Sequence, residues 1–274
     1  MSEMQWHNLR APDLRRLAAA NAMVILPVGS TEQHGPHLPV QVDALLAGEV
    51  ARRAAARVAE STPIVVAPTL WMGLAEHHMA FGATITLDFA TFHGLLRCVC
   101  RSILRDGFRR ILILNGHGGN IAALTVIAGE LSTELQAPIA TATYWTLPEA
   151  AEAYGRILER QSDVRHACEA ETSMLLCLKP ELVDREALAH VEAPLDLPSR
   201  GGGLYVWRSF AELTKSGVLG VPGAATAEKG ERLLDAAAAA LAKAMIGGEL
   251  WPSDGAADDD RSRATSATSR RLPL

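Results

Sequence analysis

Three short stretches of this sequence concentrate side chains that can bind metal ions or move protons. The first, LPVGSTEQHGPHLPVQVD from Leu26 to Asp43, packs Glu32, His34, His37 and Asp43 into twelve residues directly after the apolar run Val24 to Val28. In extended backbone, residues two apart face the same side, so Glu32 and His34 can converge on one point. Pro36 and Pro39 keep the segment out of helix, and Asp43 is expected to cap the helix that follows. Two carboxylates with an imidazole form a mixed nitrogen and oxygen donor set suited to Zn, Mn or Fe(II). Taken singly, each of these residues also fits a polar surface loop; the cluster is what argues for a metal.

The second stretch is NGHGGN, Asn115 to Asn120, at the carboxyl end of the apolar run RRILIL. Open α/β sheets place their ligands at the carboxyl ends of strands. Glycines around His117 let the backbone turn tightly and approach a ligand closely. There is no GxGxxG and no lysine after the glycines, so a phosphate cradle is not indicated. The third stretch is HACEAETS, His166 to Ser173. Five helical residues turn through about 500°, so His166 and Glu171 share a cleft only if His166 sits in the loop before the helix. Glu169 competes with Glu171, and spacing does not choose between them.

The elements that must carry these groups alternate. Val24 to Val28, Pro63 to Ala67, Thr84 to Leu87, Arg110 to Leu114 and Pro138 to Tyr144 read as strands. Helices are expected from Asp43 to about Ala59, Thr91 to Asp106, Asn120 to about Glu134, Ala167 to Leu178 and Ala227 to Ile246. Strand, crossover and strand in repetition predict a mostly parallel central sheet in a three-layer α/β/α sandwich. Residues 192 to 224, rich in Pro and Gly, read as an irregular excursion over the sheet edge or the active site. Its Tyr205 and Trp207, together with Trp145, are candidate pocket aromatics, with core packing an equal reading for Trp145.

Composition removes several classes. A chain of 274 residues with 49% hydrophobic and 21% charged residues suits one large α/β domain, placed here at 1–252. Residues 253–274 offer almost no core-forming side chain and are expected to form a disordered tail. The formal net charge of -5 counts against a nucleic-acid partner. No apolar run approaches the ~20 residues of a membrane span, and the start shows no basic region followed by an apolar core. Cys98, Cys100, Cys168 and Cys177 form no CxxC pair and read as small buried residues in a reducing compartment. The expectation is a cytoplasmic protein with neither membrane nor nucleic-acid partners.

The three stretches together resemble the creatininase (creatinine amidohydrolase) family. GSTEQHGPHLP followed by an Asp, NGHGGN and HAxxxETS occur in the family's order, and the likeness runs from about Val24 to Gly230. A further pattern of that family, GxSxEHxxFxGTIxL, stands here altered between Gly73 and Leu87. Ala75 replaces its serine and His77 its glutamate, while His78 and Phe81 keep their places. The family includes creatininase, formamide hydrolases of flavin and deazaflavin biosynthesis, and a peptidase of mycofactocin maturation.

The resemblance implies a homohexamer with one or two divalent ions (Zn, Mn or Fe) per chain, hydrolysing a C–N bond by metal-activated water. It implies Glu32, His34, Asp43 and His117 as ligands, with Asp43 bridging both metals. It also implies His166 as the acid/base and Glu171 as the carboxylate that supports it or fills a vacant ligand place. Creatininase itself has an aromatic residue and a glutamate ligand where this chain has Gly118 and Gly119. Creatinine is therefore not the expected substrate, and Ala75, His78, Gly118 and Trp145 are the candidate substrate contacts. The expectation is hydrolysis of a cyclic amide or formamide-type small molecule. The alternatives are a peptide-cleaving member of the mycofactocin type and a non-catalytic metal-binding relative.

Overall fold

Four apolar runs pair side by side to form the frame. In the computed structural model, which describes residues 3–194, 205–247 and 250–251, β1 (Met23–Val28), β2 (Ile64–Val66), β3 (Arg110–Asn115) and β4 (Ile139–Thr143) lie in the order β2-β1-β3-β4. Every pairing is parallel. Val28 stands opposite Asn115, so β1 and β3 end level and release their loops at the same edge. That edge is where the first two chemical stretches begin.

Both faces of the sheet are covered. The helices are α1 (Ala11–Ala19), α2 (Val42–Val58), α3 (Phe89–Arg105), α4 (Ile121–Leu135), α5 (Pro148–Ile157), α6 (Glu169–Leu178), α7 (Arg185–His190), α8 (Phe210–Leu213) and α9 (Ala227–Ile246). Successive strand side chains point to opposite faces. Met23, Ile25, Leu112 and Leu114 therefore enter one core with α2, α5, α6 and α9. Val24, Leu26, Ile111 and Ile113 enter the other with α3 and α4. The result is a three-layer, single-domain α/β/α sandwich. Burying each such Leu or Ile is worth roughly 1.5–3 kcal/mol, which makes the strands a firm base for the loops above them.

Several sequence expectations need correction. Thr84 to Leu87 is not a strand; it makes only isolated bridges, Thr31 to Ile85 and Gly73 to Thr86. Asp43 does not cap α2: Gln41 holds that position without a side-chain bond, and Asp43 lies in the first turn. Freed from capping, its carboxylate points elsewhere. The helices α1, α5, α7 and α8 have no counterpart among the helices expected from the sequence. Cys98 is exposed and Cys177 half-buried, so only Cys100 and Cys168 fit the buried role. The expected tail, 253–274, lies outside the described residues, as does part of the 192–224 excursion. Among the described residues, no helix is long and apolar enough to cross a membrane.

Candidate metal centre

The loops at the sheet edge are tied together by two asparagines. Asn115 accepts from the His117 backbone N–H at 3.0 Å and donates to the His117 carbonyl at 2.8 Å, closing the turn after β3. Asn120 donates to the Gly29 carbonyl at 3.1 Å and accepts from Leu74 N at 2.9 Å. Gly116 lets this turn press against α2, since a Cβ there would stand 2.5 Å from the Asp43 carbonyl oxygen. The loop after β1, the start of α2 and the turn after β3 therefore meet at one place.

Asp43 occupies the middle of it. Its Oδ1 is 3.1 Å from His34 Nε2, and its Oδ2 is 2.9 Å from His117 Nδ1. His117 Nδ1 also lies 3.0 Å from Glu32 Oε2, and His34 Nε2 lies 3.9 Å from Glu171 Oε1. Two three-donor groups result, Glu32–Asp43–His117 and His34–Asp43–Glu171, each with its donor atoms within 4.8 Å of one another. Ligands at about 2.0–2.2 Å from a common ion produce separations of this size. A further group joins Glu32, His34 and His166.

The outer contacts orient both imidazoles. His34 Nδ1 is 3.1 Å from the Glu32 carbonyl, and His117 Nε2 is 3.0 Å from the Leu74 carbonyl. A carbonyl can only accept, so each ring donates there and turns its other nitrogen inward, as histidine ligands do. Glu32, His34, Asp43 and His117 are at most 3% exposed. Glu32 Oε2, His34 Nε2 and Asp43 Oδ2 are buried without a hydrogen-bond partner. Buried polar atoms left unpaired are costly, and a cation at the two centres would satisfy all three, so the residues present fit a divalent metal.

Electrostatics point the same way. Burial alone would depress the His117 imidazolium, but Glu32 and Asp43 override it and raise its pKa to about 10. His34 is likewise driven well above the usual histidine range, with burial opposed by Asp43 and Glu171. Burial pushes the Glu32 carboxyl up, yet His117 and His78 hold it well below the ordinary carboxylate range. The field that holds protons on these histidines is the field that attracts a cation in their place.

His166 sits just ahead of α6, bridged through its backbone to Leu219, so it reaches the cleft from a loop as the spacing required. Ala167 makes the turn at φ 49°, a conformation costing about 1 kcal/mol or more that is characteristically stored at functional sites. His166 Nδ1 lies 3.6 Å from Glu32 Oε1. Burial, then the neighbouring His34 and His78, push its pKa well below the usual value. Glu171 accepts from Cys168 N at 3.4 Å across the same turn. Glu169 is turned away, fully buried against Lys229 at 2.7 Å.

The remaining candidates separate. His78 is buried, with Nε2 3.1 Å from Glu32 Oε1. Ala75 is fully buried, Gly118 is exposed, and Trp145 is half-buried, edge-on to Tyr144. His37 is held by Thr172 at 2.9 Å, outside the ligand groups, and its burial lowers its pKa to about 4. Tyr205 and Trp207 face solvent. Two participants were not foreseen. Phe210 of α8 packs on His78 and His166, with ring centroids 4.0 and 4.9 Å away, and nothing in its local sequence signals it. Gln33 lies between the two candidate ligands Glu32 and His34, where alternation would have directed it away from them.

The profile for creatinine amidohydrolase matches residues 7–245. The chain belongs to the creatininase family. A mycofactocin precursor peptide peptidase from Mycobacterium tuberculosis is 36% identical over 234 residues, covering 81% of this chain and 83% of the relative. A creatinine amidohydrolase from Pseudomonas putida is 28% identical over 263 residues, covering 89% and 95%. A solved structure of creatininase named as its Mn form superposes with a TM-score of 0.76 at 28% identity, covering 92% of this chain and all of its own. The creatininase-family assignment makes this chain a hydrolase of the amidohydrolase kind.

Proposed function

We propose that the protein is a two-metal amide hydrolase in which Glu32, Asp43 and His117 hold one divalent ion and His34, Asp43 and Glu171 the other. The observation that carries the reading is the convergence, on two groups that share Asp43, of buried atoms of Glu32, His34 and Asp43 that make no well-aligned hydrogen bond. When bound, such ions polarise the amide carbonyl and activate water for attack on it.

The chain's own residues supply the rest. His166 presents Nδ1 toward Glu32 and the centre. From there it takes a proton from the attacking water and delivers it to the departing nitrogen, which is a very poor leaving group as an anion. Glu171 ties the turn beneath His166 through Cys168 N, so one carboxylate serves both as ligand and as support. Phe210 covers the histidines and keeps bulk water off them.

A peptide-type amide is the substrate class supported best. The peptide peptidase relative is 36% identical and the creatinine amidohydrolase 28%. A side chain at Gly118 would meet nothing within 4 Å, so the backbone beside His117 is uncrowded on that side. The small cyclic amide or formamide expected from the sequence ranks second. Retained from the resemblance is a homohexamer, and from the composition a cytoplasmic setting, which the unpaired cysteines suit.

The test is a mass-spectrometric screen of the zinc- and manganese-loaded protein against peptides, formamides and cyclic amides, creatinine included. Metal-dependent release of peptide fragments is expected, with little creatinine turnover. Turnover confined to small amides would displace the peptide reading, and unchanged activity after metal removal would displace the mechanism. Sedimentation of the same sample reads the assembly.

A further inference from the structure

Gln33 makes more contacts inside the centre than any ligand role requires. Its Oε1 accepts from Gly35 N at 2.9 Å, and its Nε2 donates to the Gly217 carbonyl at 3.1 Å. A backbone N–H at one end and a backbone carbonyl at the other leave the amide only one orientation. The same Nε2 stands 2.8 Å from His78 Nδ1. Facing a donor, that nitrogen must be the bare acceptor, so the His78 proton sits on Nε2. His78 Nε2 lies 3.1 Å from Glu32 Oε1, to which it then donates. Glu32 is left with Oε2 as the oxygen turned toward His117 and Asp43.

The backbone of the same residue acts on His166. His166 Nε2 faces the Gln33 carbonyl oxygen at 2.8 Å and the Gln33 side-chain nitrogen at 3.1 Å. The carbonyl can only accept, and the two amide hydrogens are directed to Gly217 and His78, so His166 Nε2 carries the proton. Nδ1 is therefore bare and directed toward Glu32.

We propose that Gln33 is the positioning residue of this site: its side-chain amide fixes the tautomer of His78, which orients Glu32 for metal, while its carbonyl fixes the tautomer of His166, which leaves Nδ1 free to accept the proton. The inference rests on the metal-hydrolase reading above, but its first readout needs no catalysis. A side chain that only filled space would leave the protons of His78 unassigned and would be replaceable by an isosteric apolar residue. Gln33 is not replaceable in that way, because an apolar group leaves His78 Nδ1 without a donor and the ring anchored only through Glu32.

Neutron diffraction from crystals of the zinc-loaded protein reads this directly. A deuteron on Nε2 and none on Nδ1 is expected for both His78 and His166. A deuteron on Nδ1 of His78 with Nε2 bare would overturn the proposal without any variant. In Gln33→Met, similar in length but unable to donate, His78 keeps only its Glu32 contact, so its deuteron is expected to be shared between Nε2 and Nδ1 while that of His166 stays on Nε2. Zinc affinity should fall roughly 10–100-fold, the usual scale for loss of a contact that orients a ligand. A Gln33→Met protein that keeps the His78 deuteron on Nε2 and loses less than about twofold in zinc affinity would equally refute it. Should the protein take up no zinc at all, the metal reading falls, and the His78 deuteron in metal-free crystals still decides this one.

Discussion

In the proposed site Asp43 is the residue on which both centres would depend, because each of its oxygens faces a different histidine. Asp43→Ala is therefore expected to strip both ions, whereas loss of a ligand private to one centre should strip one; elemental analysis of the purified variants separates the two patterns. His166 stands in another relation to the metals. It belongs to a loop ahead of α6 and faces Glu32 at 3.6 Å, so His166→Ala should keep its ions and lose about 10²–10⁴ in kcat. If that variant lost metal and regained full activity in excess metal, His166 would be a ligand. The glycines after His117 make a sharper comparison. A Cβ at Gly119 would come within 2.4 Å of both His117 Nε2 and the Leu74 carbonyl, breaking the bond that orients the ring. Gly119→Ala should weaken metal binding roughly 10–100-fold. Gly118→Ala meets nothing within 4 Å and should change stability by no more than about 0.5 kcal/mol, as calorimetry and metal titration on the pair would establish.

Between the residues and the sheet lies a layer of short turns held by buried polar clamps. The clearest joins α9 to the turn that carries His166. Lys229 Nζ donates to Glu169 at 2.7 Å and to the Ala224 carbonyl at 2.7 Å, while Glu169 accepts from the backbone N–H groups of Glu159 and Arg160, each at 3.0 Å. Lys229→Met would leave a fully buried carboxylate without its cation, a loss of about 3–5 kcal/mol. Denaturant unfolding of the variant should show a loss of that size, and a change under about 1 kcal/mol would mean that the turn is held by other contacts. This layer was also the hardest to read in advance. Motif spacing drew attention to Glu32, His34, Asp43, His117 and His166, while the preference for Glu171 over Glu169 came from the family resemblance. Asp43 was misread as a cap because a first-turn aspartate and a capping one look alike in sequence. Thr84 to Leu87 has a strand's β-branched composition but only isolated bridges, since it meets the loop segments at Thr31 and Gly73 at a single position each. Phe210 reaches the histidines through long-range folding that local pattern does not encode.

At the scale of the whole molecule, two cores and a parallel sheet were legible because β-branched runs and alanine-rich helices alternate so regularly along the chain. Metal should be felt at this scale too. An ion that binds only the folded state adds about 2.7 kcal/mol when free metal stands a hundredfold above Kd. Chelator-treated protein should therefore melt at a lower temperature than the zinc-loaded form, and equal melting temperatures would count against a resident ion. The enclosure of the centre has another outcome. With its four principal donors at most 3% exposed and Phe210 packed on the neighbouring His78 and His166, an ion is expected to exchange slowly. Which ion is held then depends on which was met first as well as on the ordinary ranking of divalent metals by affinity. Two preparations of the same chain, folded in manganese-rich and zinc-rich media, should each retain its first ion through dialysis against the other, as a molecular record of where folding took place.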